Sequence, residues 1–174
     1  GIPFARLRGE AGDQRAVEFK DGATGHWHPL LTLDFEDTFR PLASPLDHAS
    51  VWALSNRGRD RVSLVQLDSS TGKETVVLGD PVADLEGALV DDLTSQPLLA
   101  WSAPDYTQLH FLDASLADDF NRFIRAGPNA ISVLSTDNAH QHMVVEVFSE
   151  AKGSETYQIG RASCWARVYI SVVA

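Results

Sequence analysis

Two His-x-His pairs, His26-Trp27-His28 and His140-Gln141-His142, are the first places to look for chemistry. On a strand, residues i and i+2 share a face, so each pair offers two imidazoles to one metal ion. Neither pair has an acid at a diagnostic spacing, and no His-Glu-x-x-His is present. The expectation is surface histidines beside turns, with no metal and no cofactor. Serines, histidines and aspartates are plentiful, but no Gly-x-Ser-x-Gly elbow presents a serine oxygen for nucleophilic attack. No catalytic residue is therefore assigned. Asp91-Asp92 and Asp118-Asp119 do not make acid/base pairs: adjacent residues point apart on a strand and lie about 100° apart on a helix. They read as solvated turn and helix-start carboxylates. Arg57, Arg59 and Arg61 alternate along one short segment. They would face substrate if that hairpin borders a cavity, and otherwise belong to a solvated turn. Trp52 and Trp101 read as core between neighbouring sheets, and Trp27 as partly exposed after a turn.

Composition narrows the partners. The chain has 174 residues, 44% of them hydrophobic and 22% charged, with 24 acids against 14 bases for a net charge of −10. That profile is globular, and an acidic chain without a basic run is a poor ligand for nucleic acid or an anionic membrane. No apolar stretch approaches the roughly 20 residues of a membrane span, so membrane insertion is not expected. The start, Gly1-Ile2-Pro3-Phe4, shows neither an initiator Met nor a signal peptide, and the chain reads as truncated. The single cysteine, Cys164, leaves the compartment open between cytoplasm and periplasm.

The elements that would position these residues repeat. Asp21-Gly22-Ala23-Thr24-Gly25 and Asp68-Ser69-Ser70-Thr71-Gly72 share Asp-x-x-Thr-Gly at an offset of 47 residues. Val17 falls on Leu64, Leu30 on Val77 and Leu31 on Leu78 at the same offset. A partial third copy, Leu109-His110-Phe111-Leu112-Asp113, follows 45 residues after Leu64 to Asp68. A period of about 40–50 residues is the blade length of β-propellers. Ser50–Ser55, Val62–Leu67 and Glu74–Leu78 read as short β-branched or aromatic strands joined by tight turns, with Gly58 and Gly72 available for positive φ. Ala130–Ser135, Met143–Ser149 and Glu155–Gln158 read as further strands.

One segment departs from this pattern. Leu116, Phe120, Phe123 and Ile124 have helical spacing, Asp113 or Ser115 suits the N-cap, and Gly127-Pro128 ends the run. A helix over 114–126 is expected in place of the third copy's turn. The last sixteen residues, 159–174, also stand apart. Ile159-Gly160-Arg161-Ala162-Ser163-Cys164 resembles a translated sequencing-adaptor read-through, although Trp165-Ala166 departs from the usual Arg-Glu. The alternation of Val168, Ile170 and Val172 also fits an edge strand. The expected organisation is a partial propeller over 1–158 and a non-native tail over 159–174.

The hairpin Ala53-Leu54-Ser55-Asn56-Arg57-Gly58-Arg59-Asp60 leads into Leu64-Val65-Gln66-Leu67-Asp68. Thr71-Gly72-Lys73-Glu74-Thr75, Ala83-Asp84-Leu85 and His110-Phe111-Leu112-Asp113 follow in that order, ahead of the inserted helix. In this order the residues resemble bacterial serine peptidases of the prolyl-oligopeptidase (S9) type, described as dipeptidyl aminopeptidases or acylaminoacyl peptidases. The resemblance implies an N-terminal β-propeller that covers a C-terminal α/β-hydrolase domain with a Ser-Asp-His triad and filters peptides by size. The expectation is therefore an all-β fold: three to four blades of antiparallel strands, one inserted helix, and no catalytic activity in this chain alone. Its partners would be a peptide substrate and the hydrolase domain of the parent protein. The competing expectation is a stand-alone TolB-like propeller that acts as a protein-binding scaffold.

Overall fold

The computed structural model describes residues 4–10, 13–21, 24–45, 47–114, 116–118, 120, 130–137, 142–149, 153–161 and 168–172. The chain divides into two compact units, Gly1–Pro104 and Asp105–Ala174.

The first unit begins with β1 (Ala5–Gly9), β2 (Arg15–Lys20) and β3 (Trp27–Leu33), an antiparallel sheet in chain order. A second antiparallel sheet follows from β4 (Phe39–Ala43), β5 (Ser50–Ser55), β6 (Ser63–Asp68) and β7 (Glu74–Leu78). β8 (Leu85–Val90) and β9 (Pro97–Ser102) then pair antiparallel. The 47-residue repeat is a repeat of register. Leu7 pairs with Val17 as Leu54 pairs with Leu64, and Ala5 with Phe19 as Trp52 with Gln66. A β-bulge falls between Val17 and Glu18 and again between Leu64 and Val65, at the same offset. A bulge adds local twist, so its repetition gives both sheets the same bend at the same place.

Alternation decides what each face buries. Val17, Phe19, Leu31 and Leu33 of the first sheet join Phe39, Val51, Ala53, Val65 and Leu67 of the second in one buried cluster. Residues of opposite parity in the second sheet, Trp52, Leu54 and Leu64, are buried as well. Because both faces of β5 are covered, its sequence is apolar with little alternation, as a doubly packed strand requires. Truncating a side chain such as Leu54 to Ala would cost about 2–5 kcal/mol.

The second unit holds β10 (Gln108–Phe111), helical residues at 114, 116–118 and 120, and a meander of β11 (Ala130–Thr136), β12 (His142–Ser149), β13 (Gly153–Arg161) and β14 (Val168–Val172). Asp113 caps the helix: its carboxylate accepts the Leu116 N–H at 3.3 Å and its carbonyl accepts that of Ala117. Leu116 and Phe120 are buried, with Phe120 tilted against Phe111 at 5.3 Å. The expected helix positions 121–126 lie outside the described residues. β13 runs across the expected boundary at 158, and the segment read as a tail contributes β14, paired to β13 from Tyr157↔Val172 to Arg161↔Val168. Among the described residues the chain is all-β with one short helix, and its antiparallel sheets are those of partial propeller blades. Among the described residues, no helix is long and apolar enough to cross a membrane.

Candidate functional site

The β5–β6 hairpin carries the arginines singled out from the sequence, and its turn is built for a tight reversal. Gly58 sits at φ 67°, and the Arg59 N–H closes the turn onto the Asn56 carbonyl at 2.7 Å. Arg59 does not reach outward. Its guanidinium is ion-paired with Glu74 on β7, a carboxylate only 5% exposed, and donates to the Ser55 carbonyl at 3.2 Å. The Ser55 hydroxyl donates to the same carboxylate at 3.1 Å and accepts the Arg57 N–H at 3.1 Å. Arg59 is thus a tether across the sheet, with one Nε–H left without an acceptor. Arg57 is half-buried. Arg61 is exposed and lies 3.1 Å from the solvated Asp60 carboxylate. Only two of the three arginines therefore remain available at the tip.

Three of the four paired histidines lie among the described residues. His26 and His28 are exposed. His140 lies outside the described residues, and exposed His142 has its Nδ1 3.0 Å from Asp137, an acid partner five residues earlier that the sequence reading missed. No group of three or more His, Cys, Asp or Glu among the described residues is placed to hold a metal. One Ser–His contact also escaped notice: His48 Nδ1 lies 3.3 Å from the Ser44 hydroxyl. That hydroxyl is buried and donates to the Ser50 carbonyl, 2.7 Å away. Asp47 accepts the Ala49 N–H rather than orienting the ring. The cluster ties Ser44 to the start of β5.

The tryptophans resolve into three different settings. Trp52 is core, 7% exposed, and its indole N–H has no partner. Trp101 lies over Gly87, its cross-strand neighbour within the β8–β9 pair, and is half-buried, less enclosed than the core position expected of it. Half-buried Trp27 carries the Arg6 guanidinium 4.3 Å above its ring centroid, a cation–π contact. Arg6 and Arg8 of β1 both clamp Glu18 of β2, at 2.6 and 2.7 Å, and Glu18 is 5% exposed. The Arg6 hydrogen bond, against the opposing effect of burial, holds the Glu18 carboxyl below its ordinary range.

The aspartates prove to be turn-builders. Asp68 accepts the N–H groups of Ser70 and Thr71 and both their hydroxyls on one oxygen, while the Gly72 N–H bonds back to the Asp68 carbonyl. These bonds, the Ser70 hydroxyl's first, lower its carboxyl to about 2. Asp21 repeats the Thr24 and Gly25 bonds of this turn. The structure adds a copy the sequence reading passed over, Asp91-Asp92-Leu93-Thr94-Ser95, with Ser95 at φ 56° where the others have glycine. Asp91 is accordingly buried, a correction to its reading as a solvated carboxylate. Its carboxylate is consumed by the Leu93 and Thr94 N–H groups. Asp118 is exposed on the helix as expected; Asp119 lies outside the described residues. Buried Asp80 was also not foreseen. It accepts the Ser102 hydroxyl at 2.6 Å and the N–H groups of Val82 and Ala83, pinning the β7–β8 connection to β9.

Against this geometry stand the known proteins the chain resembles. No protein-family model matches it. Over 125 residues, 70% of the chain, it is 30% identical to dipeptidyl aminopeptidase BIII of Pseudoxanthomonas mexicana. The chain spans only 18% of that relative's length. Among solved structures, a prolyl endopeptidase superposes over 98% of this chain and 27% of its own, with a TM-score of 0.59 at 11% identity, a likeness of fold. By sequence over most of its length and by fold over nearly all of it, the chain is a relative of the propeller region of prolyl-oligopeptidase-type (S9) peptidases.

Proposed function

We propose that this chain supplies part of a propeller that gates peptide access to an α/β-hydrolase domain and itself contributes no catalytic group. The observation that carries the reading is the 30% identity to a dipeptidyl aminopeptidase over 125 residues. The absence of a Gly-x-Ser-x-Gly elbow from the sequence agrees with it. In this reading Arg57 and Arg61, at the β5–β6 tip, face the peptide, and Arg59 holds the hairpin to β7 through Glu74. Cationic side chains at a passage would attract the carboxylate end of a short peptide. The native portion is taken as 1–158, with 159–174 an addition.

The reading is tested by incubating the purified chain with chromogenic aminoacyl and dipeptidyl substrates. No turnover is expected, and turnover abolished by a serine-directed inhibitor would overturn the non-catalytic assignment. The parent reading frame tests the partner. A downstream hydrolase domain with a nucleophile elbow is expected; a stop codon after the last blade would favour the scaffold alternative instead.

A further inference from the structure

β3 and β7 form the last strands of the first two sheets, and the repeat makes them comparable. β3 lies beside β2 and β7 beside β6; among the described residues neither has a strand on its far side. β7 is the outer strand of a four-stranded sheet, and the chain runs on from it into β8 of the next. Its open edge is therefore a property of the sheet itself. At the 47-residue offset Pro29 corresponds to Val76 and Leu30 to Val77. The bulge passes over Leu30 in one strand and Val77 in the other, so the correspondence holds in register as well.

The hydrogen-bond phase of each strand shows which backbone groups are open. The Asp21 N–H bonds to the His26 carbonyl and the Asp68 N–H to the Lys73 carbonyl. Bonded pairs alternate with unbonded ones in an antiparallel ladder, so Phe19–His28 and Gln66–Thr75 are bonded pairs. Pro29 and Val76, one residue further, therefore turn their backbone away from the sheet, and so does Glu74. In β3 that outward position holds a proline, which has no N–H to offer and guards the edge. In β7 the guard is missing. Val76 and Glu74 each present an N–H and a C=O, and Thr75, Val76 and Val77 are exposed, Val76 by 49%. The only charged residue of β7, Glu74, is already ion-paired with Arg59.

We propose that the outer edge of β7 pairs with the same edge of a second copy of this chain, antiparallel about a two-fold axis. The edge is its own complement. With Thr75 opposite Thr75 of the second copy, Glu74 meets the other Val76 and Val76 the other Glu74. Both pairs then exchange N–H and C=O bonds, and the facing threonines form a favourable unbonded pair at the axis. Such a contact is closed, because it uses up the edge on both copies and stops at a dimer. Lys73 comes to lie opposite Val77, so the two Lys73 residues stand at least about 13 Å apart along the strands, beyond the ~8 Å reach of charge at physiological salt. One short strand per copy makes a small contact, and the association is weak and transient. The inference rests on the strand register and is independent of any peptidase role.

The test follows the full chain by sedimentation velocity and by amide hydrogen exchange in NMR, over a concentration series reaching about 1 mM. Exchange at Glu74 and Val76 is expected to slow by about twofold or more across the series as the sedimentation coefficient rises. Val76→Pro copies the guard of β3 and removes an N–H that the sheet does not use. It is expected to melt like the parent and to lose the concentration dependence. Thr75→Lys keeps every backbone group but sets two ammonium groups face to face at the axis, and is expected to lose it too; it decides the matter if the proline disturbs the sheet. No concentration-dependent slowing at Glu74 and Val76 would overturn the proposal. Self-association that persists undiminished in a variant melting like the parent would assign it to another surface and would likewise overturn it.

Discussion

Replacing Gly87 by Ala is normally stabilising in a strand, because glycine loses more chain entropy on folding; the gain is about 0.5–1 kcal/mol. Here the sign should reverse. A Cβ built on Gly87 would lie 2.0 Å from Cζ2 and 2.4 Å from Cη2 of Trp101, its direct cross-strand partner. Carbon atoms in contact sit about 3.5–4.0 Å apart, so the indole must retreat by roughly 1.5 Å. Gly87 is buried, and overpacking of a filled site costs about 1–3 kcal/mol. That exceeds the entropic gain, for a net loss of about 1–2 kcal/mol. In a chain of this length the loss lowers Tm by about 2–8 °C. Thermal melts followed by tryptophan fluorescence read both the loss and the displaced ring. Trp101→Ala removes the obstacle, so Gly87→Ala added to that background should be neutral or stabilising. A Gly87→Ala chain that melts at or above the parent temperature would refute the close approach of backbone and indole.

Further outcomes follow from the turns and tethers. Ser95→Gly should raise Tm, because Ser95 holds φ 56° where the equivalent turns have glycine, and relief of that conformation gives about 1 kcal/mol. Asp68→Ala should destabilise the chain at neutral pH. The Asp68 carboxyl is depressed to about 2, so its contribution is present above the ordinary carboxylate range and lost as pH falls through about 2. Melts across that window should therefore show the gap between parent and variant closing in acid. Glu74→Gln removes the charge that Arg59 and Ser55 share and should cost about 1.5–3 kcal/mol by urea unfolding, whereas Asp60→Asn, on the exposed Arg61 pair, should be near neutral.

Much of the fold was legible because period and punctuation agree. Ser50–Ser55 and Glu74–Leu78 have the bounds expected of them, since each combines β-branched or aromatic residues with flanking turn residues. The Asp113 cap and the buried Leu116 and Phe120 follow from helical spacing. What was not legible depends on partners distant in sequence. Nothing local marks Arg59 as different from Arg57 and Arg61; Glu74, fifteen positions away, makes the difference. The Asp91 turn escaped because Ser95 replaces the glycine that announces its relatives. The contact of Trp101 with Gly87 was not legible because its neighbour is a glycine on the adjacent strand, which no hydrophobic pattern records.

The Arg6–Glu18–Arg8 clamp has a meaning that appears when the two sheets are overlaid. At the 47-residue offset Arg6 stands where the second sheet has Ala53, and Glu18 where it has Val65, both fully buried in the apolar cluster. The corresponding face of the first sheet has thus exchanged a sticky interior for a salted lid. The substitution is compact: two residues change the surface from one that must be stacked upon to one that tolerates water. The reverse exchange, Arg6→Ala with Glu18→Val, would restore an interior-type surface, and the chain should then self-associate as its concentration rises.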